Sequence, residues 1–85
     1  MKRVVCAVFD LATRLFGQPL FVPARGAALR SFGDEVNRKD PDNTLANHPE
    51  DYELHQLAYF DDETGVFEAA PELIARGSDL VRSVQ

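Results

Sequence analysis

The chain has little of what stabilises or locates many small proteins. Cys6 is its only cysteine, so no disulfide forms within a monomer. One cysteine and two histidines, His48 and His55, cannot close a tetrahedral zinc shell without carboxylates. No apolar run approaches the ~18 residues that cross a bilayer. After Met1-Lys2-Arg3 only six apolar residues follow, ending at Phe9 before Asp10, too few for a secretory leader. These absences predict a soluble cytoplasmic protein with a reduced thiol, no membrane partner, no metal and no cofactor. Eighty-five residues suit a single domain, 1–85, with one thin core. A domain of this size buries roughly 60–65% of the surface its unfolded chain exposes. Self-association is then the leading way to add buried area, and a homo-oligomer, a dimer first, is expected.

What is present is an uneven charge. The net of −5 hides a basic first half and an acidic second half. Residues 1–39 hold seven basic side chains (Lys2, Arg3, Arg14, Arg25, Arg30, Arg38, Lys39) against three acids, a net of +4. Residues 40–85 hold eleven acids and two arginines, a net of −9, and the halves sum to −5. A basic face could meet phosphate while the acidic half limits non-specific sticking. A solvated surface of uneven charge is the bland alternative.

Val4 to Phe9 is a continuous apolar, β-branched run, read as a strand buried on both faces. Val4, Cys6 and Val8 point one way; Val5, Ala7 and Phe9 point the other. A chain this small has little to cover both faces, so a second copy or a returning segment is expected over one of them. Residues 10–23 read as a linker, with Leu20-Phe21-Val22 a short edge strand ahead of Pro23. From about Ala24 to Asn37 the period turns helical, with Ala28, Leu29, Phe32 and Val36 on one stripe. Pro23 suits the start and Asn37 the C-cap. Gly26 and Gly33 each cost ~1 kcal/mol against alanine in a helix, so packing must compensate.

Residues 38–51 read as a polar loop. Tyr52 to Phe60 then alternates, with Tyr52, Leu54, Ala58 and Phe60 on one face, interrupted by Gln56. Glu53, His55, Leu57 and Tyr59 fall on the other. Asp61-Asp62-Glu63-Thr64-Gly65 is a hairpin turn closed by Gly65, and Val66 to Ala69 is the partner strand. After Pro71, Leu73-Ile74 and Leu80-Val81 suggest a short helix broken at Gly77, or a tail. The expected fold is α+β: a small, mainly antiparallel sheet of three to four strands with one helix packed on a face.

Two stretches carry a family resemblance. The first is Phe21-Val22-Pro23-Ala24-Arg25-Gly26-Ala27-Ala28-Leu29-Arg30-Ser31-Phe32-Gly33-Asp34-Glu35-Val36-Asn37. The second is His48-Pro49-Glu50-Asp51-Tyr52-Glu53-Leu54, continuing through Phe60-Asp61-Asp62-Glu63-Thr64-Gly65. With the opening strand and its terminal Asp10, they resemble the small non-structural protein of gokushovirus-type microviruses, phages with single-stranded DNA genomes. The resemblance covers most of residues 1–67. It implies a protein made in the cytoplasm of the infected bacterium and not built into the mature capsid. It also implies DNA binding, in support of the switch from duplex to single-strand genome synthesis or of packaging. It supplies no catalytic residue.

Catalysis finds no support in the residues themselves. Cys6 sits in the most apolar run, where a thiol behaves as a small hydrophobe. His48 and His55 lie on different elements at a spacing that fits neither a metal nor a general base. No glycine-rich phosphate loop occurs, and Asp61-Asp62-Glu63 lacks the distal glutamate and second helix of a calcium loop. No enzyme is expected. Single-strand binding needs cations for phosphate and exposed rings for bases, each stack worth roughly 1–3 kcal/mol. Lys2, Arg3, Arg14, Arg25, Arg30, Arg38 and Lys39 are the candidate cations; Phe16 and Tyr59 are the candidate stacking rings. Neutralising four to six phosphates gives log K a salt slope of about −3 to −4. The condition is that the cations gather on one patch. Scattered among carboxylates, they leave the rival reading: a protein-interaction module for the replication initiator, a host replication factor or a capsid assembly intermediate. Its working surface would be the acidic loop 38–51 and the acidic hairpin.

Overall fold

A computed structural model describes residues 1–82. The apolar run lies inside β1 (Lys2–Asp10), the strand around which the sheet is built. One edge of β1 pairs with β4 (Tyr52–Asp61), which pairs in turn with β5 (Phe67–Arg76). The other edge is covered in succession by β2 (Leu15–Phe16) and β3 (Leu20–Val22). All pairings are antiparallel. The class is the expected one, with five strands rather than three to four, because segment 10–23 supplies two. β2 and β3 are one returning strand interrupted at Gln18-Pro19, where proline has no N–H for the ladder.

One main helix, α1 (Arg25–Val36), crosses one face of this sheet. Ala28, Phe32 and Val36 meet Val4, Cys6 and Leu54 to form the core, with Val8, Leu45, Ile74 and Leu80 packed at its margin. Leu29, placed on the buried stripe by its spacing, is instead 37% exposed at the margin of the helix. Asn37 caps α1 with its side chain. Its amide donates to the carbonyls of Gly33 at 2.7 Å and Leu80 at 2.9 Å, and its Oδ1 accepts from the Arg82 N–H at 2.8 Å. The cap thus also fastens the chain end to the helix.

The 38–51 segment is more structured than a loop. It holds a short helix, α2 (Thr44–Asn47), and a 3-10 turn at Pro49–Asp51. Buried Asn43 anchors it by donating to the carbonyls of Glu35 and Arg38 at 2.9 and 2.8 Å.

Two readings need correction. The partner strand does not stop at Ala69: β5 runs on through Pro71 to Arg76, so Leu73 and Ile74 are strand residues, not helix. Proline is tolerated because β5 is the sheet's outer strand and its register slips there. Among the described residues a 3-10 turn, Gly77–Leu80, is the one element that follows. The faces of β4 also switch partway. Val5 pairs with Ala58 but Cys6 with Gln56, so Leu57 is an extra residue, a β-bulge that inverts the alternation. Tyr52, Leu54 and Gln56 face the helix together with Tyr59, whereas Ala58 and Phe60 turn to the opposite face. No helix among the described residues is long and apolar enough to cross a membrane.

Candidate functional site

The seven basic residues of the first half do not gather. Lys2 and Arg3 lie at one end of β1 and Arg14 beyond the other, roughly 25 Å away along the strand. Arg3 Nε donates to Asp62 at 3.1 Å, Arg25 to Glu72 at 3.0 Å, and Arg38 to both Glu35 and Asp40 at 2.6 and 3.1 Å. Lys2 borders a depression that also contains Asp61 and Glu68. Arg30 stands on the outer side of α1, and Lys39 shares a shallow depression past its end with Arg82. Lys2, Arg14, Arg30 and Lys39 have no carboxylate within salt-bridge distance among the described residues, and they point to four different regions. A phosphate chain would meet them singly.

The two candidate rings part company as well. Tyr59 is opposite Val4 on the helix-facing side and packs at the margin of the core. Phe16 lies on the other side of the sheet, 48% exposed. Among the described residues that face has no helix over it, and it is where most of the phenylalanines collect. Phe16 packs on Phe9 with centroids 4.8 Å apart, and both rings meet the His55 imidazole edge-on at 5.4 and 5.8 Å. A second group joins Phe21, Phe60 and Phe67, with centroid separations of 4.6 to 6.1 Å. Both groups hold tilted or edge-to-face geometries. Val5 and Ala7 lie buried between them, while Phe21 and Phe67 remain 47% and 58% exposed.

The sequence signal for this face is the second side of the opening strand, over one side of which a second copy or a returning segment is expected: Val5, Ala7 and Phe9 mark an apolar surface that no helix among the described residues covers. Charge on this open face is sparse. Glu53 sits at one end, bonded to His55 Nε2 at 3.0 Å and 3.5 Å from Arg76. Arg3 sits at the other end, beside Phe60.

The helix side carries the opposite character. Residues 34–51 hold Asp34, Glu35, Asp40, Asp42, Glu50 and Asp51 against Arg38 and Lys39, six negative and two positive charges for a net of −4, and Arg82 from outside the segment pairs with Asp34 at 3.0 Å. Arg38 holds the Glu35 carboxyl below the usual carboxylate range by direct hydrogen bonding. Asp40 is lowered too, first by the Asp42 N–H at 2.9 Å and then by Arg38.

Other groups offer less chemistry. Potential ligand atoms of His48, Glu50 and Asp51 lie within 4.8 Å of one another, but His48 and Glu50 stand in solvent, and among the described residues no hydrogen bond orients the His48 ring. An apolar cleft of about 300 Å³ between α1 and the sheet is lined by Val8, Leu20, Phe32, Leu45 and Leu54, with Glu35 at its rim. Cys6 is fully buried, and burial pushes its thiol pKa up.

Comparison with known proteins agrees with the resemblance carried by the sequence. No solved structure matches the chain. A curated relative, Protein ORF5 of Chlamydia phage 1, is 33% identical over 63 residues, covering 72% of this chain. The match spans 66% of that relative, just under two thirds of its length. Residues 3–80 match the family model described as Phage ORF5 protein. The chain therefore belongs to the phage ORF5 family, the small non-structural proteins of gokushovirus-like microviruses.

Proposed function

We propose that the protein is a non-enzymatic interaction module of the infected cell, and that its acidic helical side docks a basic protein. The replication initiator, a host replication factor and a capsid assembly intermediate are the candidate partners. The observation that carries this reading is the net −4 over residues 34–51, a segment that Asn43 ties to the end of α1 and in which only Asp34 takes a cation from outside, Arg82, among the described residues. Complementary charge of this kind speeds encounter and rejects acidic competitors.

Binding of the phage's own replication initiator to the purified chain tests the reading. Replacing Asp40, Asp42 and Glu50 with lysine should weaken that complex by at least about tenfold, and raised salt should weaken it further. Initiator, host replication factors and assembly intermediates that all fail to bind would overturn it.

A second reading, binding of single-stranded DNA in support of single-strand genome synthesis or packaging, is favoured by one observation. Phe16, Phe21 and Phe67 present half-exposed rings on an open antiparallel sheet, the kind of platform on which bases stack. Arg3 and Arg76 at its margins would supply the phosphate contacts. Titrating a labelled oligothymidine in about 50 mM salt tests it. Under this reading Phe16→Ala and Phe67→Ala each weaken binding, whereas Arg14→Glu, Arg25→Glu and Arg30→Glu together have a smaller effect. Absence of binding at tens of micromolar removes it.

A further inference from the structure

We infer that the open aromatic face is covered by a second copy of this chain, sheet against sheet. The inference concerns the surface opposite the acidic one and does not depend on which partner that acidic side takes.

The case begins with layers. The molecule measures 46 × 27 × 20 Å. Its thin dimension accommodates one helix layer and one sheet layer, each about 10 Å deep. Stable domains cover an apolar sheet face with another layer, and among the described residues this sheet has only one of its faces covered. Three rings left about half in water expose roughly 300 Å² of aromatic surface between them. Exposed apolar surface of this size on a monomer is often a contact site. The 46 × 27 Å footprint is ample for the ~800 Å² per partner that a stable dimer buries.

Charge then selects the occupant. The face bears Arg3 and Arg76 against Glu53, and each arginine already has a carboxylate beside it, Asp62 for Arg3 and Glu53 for Arg76. Nucleic acid needs free cations in number, and this surface has few to offer. An apolar, nearly neutral surface needs none to meet its own image, and the acidic groups that would repel a second copy lie on the helix side and in the hairpin. The two ends of the face are also complementary. Phe9 and Glu53 pair at one end, Arg3 and Phe60 at the other, six residues along β1. A two-fold axis lying across the strands sets Arg3 of one copy over Glu53 of the next. The same rotation lays the Phe21–Phe60–Phe67 group on the Phe9–Phe16–His55 group, an isologous contact of the kind that closes a dimer.

Sedimentation equilibrium of the full chain tests the inference. The expected mass is twice 9.5 kDa at tens of micromolar, little changed by salt because the contact is apolar. Phe67→Glu and Phe16→Glu, at opposite ends of the face, should each raise the dimer dissociation constant at least about tenfold while far-ultraviolet circular dichroism stays native. Arg30→Glu, on the outer side of α1, should leave it unchanged. Intermolecular nuclear Overhauser contacts between the two ring groups in the unsubstituted chain provide a readout that survives if a variant fails to fold. A monomer at about 100 μM, a dimer indifferent to both face substitutions, or oligothymidine occupying these rings on a monomer would each overturn it. Loss of initiator binding alone would leave the dimer standing, so the two proposals fail separately.

Discussion

The Gln56 side-chain amide donates to the backbone carbonyl of Ala70 at 2.9 Å, bridging β4 and β5 where the register of both slips. Leu57 is surplus on one strand and Pro71 brings no N–H on the other, so a side chain stands in for a ladder bond. Gln56 is buried, and its Oε1 has no hydrogen-bond partner among the described residues. Gln56→Leu removes that orphan but also the bond to the half-buried Ala70 carbonyl, and a lost hydrogen bond of this kind costs about 0.5–1.5 kcal/mol. Urea unfolding should therefore show a net loss of stability for Gln56→Leu. Unchanged stability would mean that the bridge contributes nothing.

The glycines divide into two groups with opposite expected signs. In α1, a Cβ at Gly26 meets nothing within 4 Å, and one at Gly33 touches the Leu80 side chain at an ordinary 3.9 Å. Gly26→Ala and Gly33→Ala should each stabilise by about 0.5–1 kcal/mol, the helix-propensity gain. Gly77 is different: a Cβ there would run into the Pro49 carbonyl and approach that of Tyr52 to 3.1 Å. Both obstacles are backbone, so Gly77→Ala should destabilise by about 1–3 kcal/mol. Gly65 has φ +77°, and Gly65→Ala should cost about 1 kcal/mol through the left-handed conformation alone. Thermal melts of the four variants check the pattern.

Much of the fold was legible because local signals agreed with the global arrangement. The opposed faces of β1, the helix from Arg25 with its Asn37 cap, and the turn closed by Gly65 all follow from spacing and residue type. The bulge at Leu57 was not, since strict alternation contains no mark of the one residue that breaks it, and the break moved Tyr59 to the core side and Phe60 to the open face. Pro71 looked like a terminator because the sequence does not show which strand will be outermost. The dispersal of the cations was hidden for a related reason. Arg3, Arg25 and Arg38 are neighbours in a basic half, yet Asp62 and Glu72, the partners of the first two, come from the acidic half through folding.

Cys6 supplies a check on the core. Its side chain is fully buried between sheet and helix, and desolvation raises its thiol pKa. Both effects suppress the thiolate that reacts with disulfide reagents. Labelling of the native chain should be at least about 100-fold slower than of the chain in guanidinium, because it must wait for opening of the core. Equal rates would show that β1 and α1 separate freely.

The Glu35–Arg38 pair is suited to an acid titration. Arg38 donates to Glu35 and depresses its pKa in the fold. A carboxylate with a lowered folded pKa contributes stability that is fully present above its unfolded value of about 4.3 and is lost as pH falls through the folded value. Arg38→Ala should return the Glu35 titration, followed by side-chain carboxyl NMR, toward the ordinary glutamate range. It should also flatten the stability profile below about pH 4.5, where the unfolded state takes up protons that the fold resists. Because both side chains are largely exposed, added salt should shrink the difference between the two proteins. The same substitution removes a positive charge from the acidic helical side. If that side docks a basic partner, Arg38→Ala should leave the complex intact or tighten it, whereas an Arg38 that touched phosphate would show a loss of DNA binding. One variant thus reads the local ion pair and the direction of the functional assignment together.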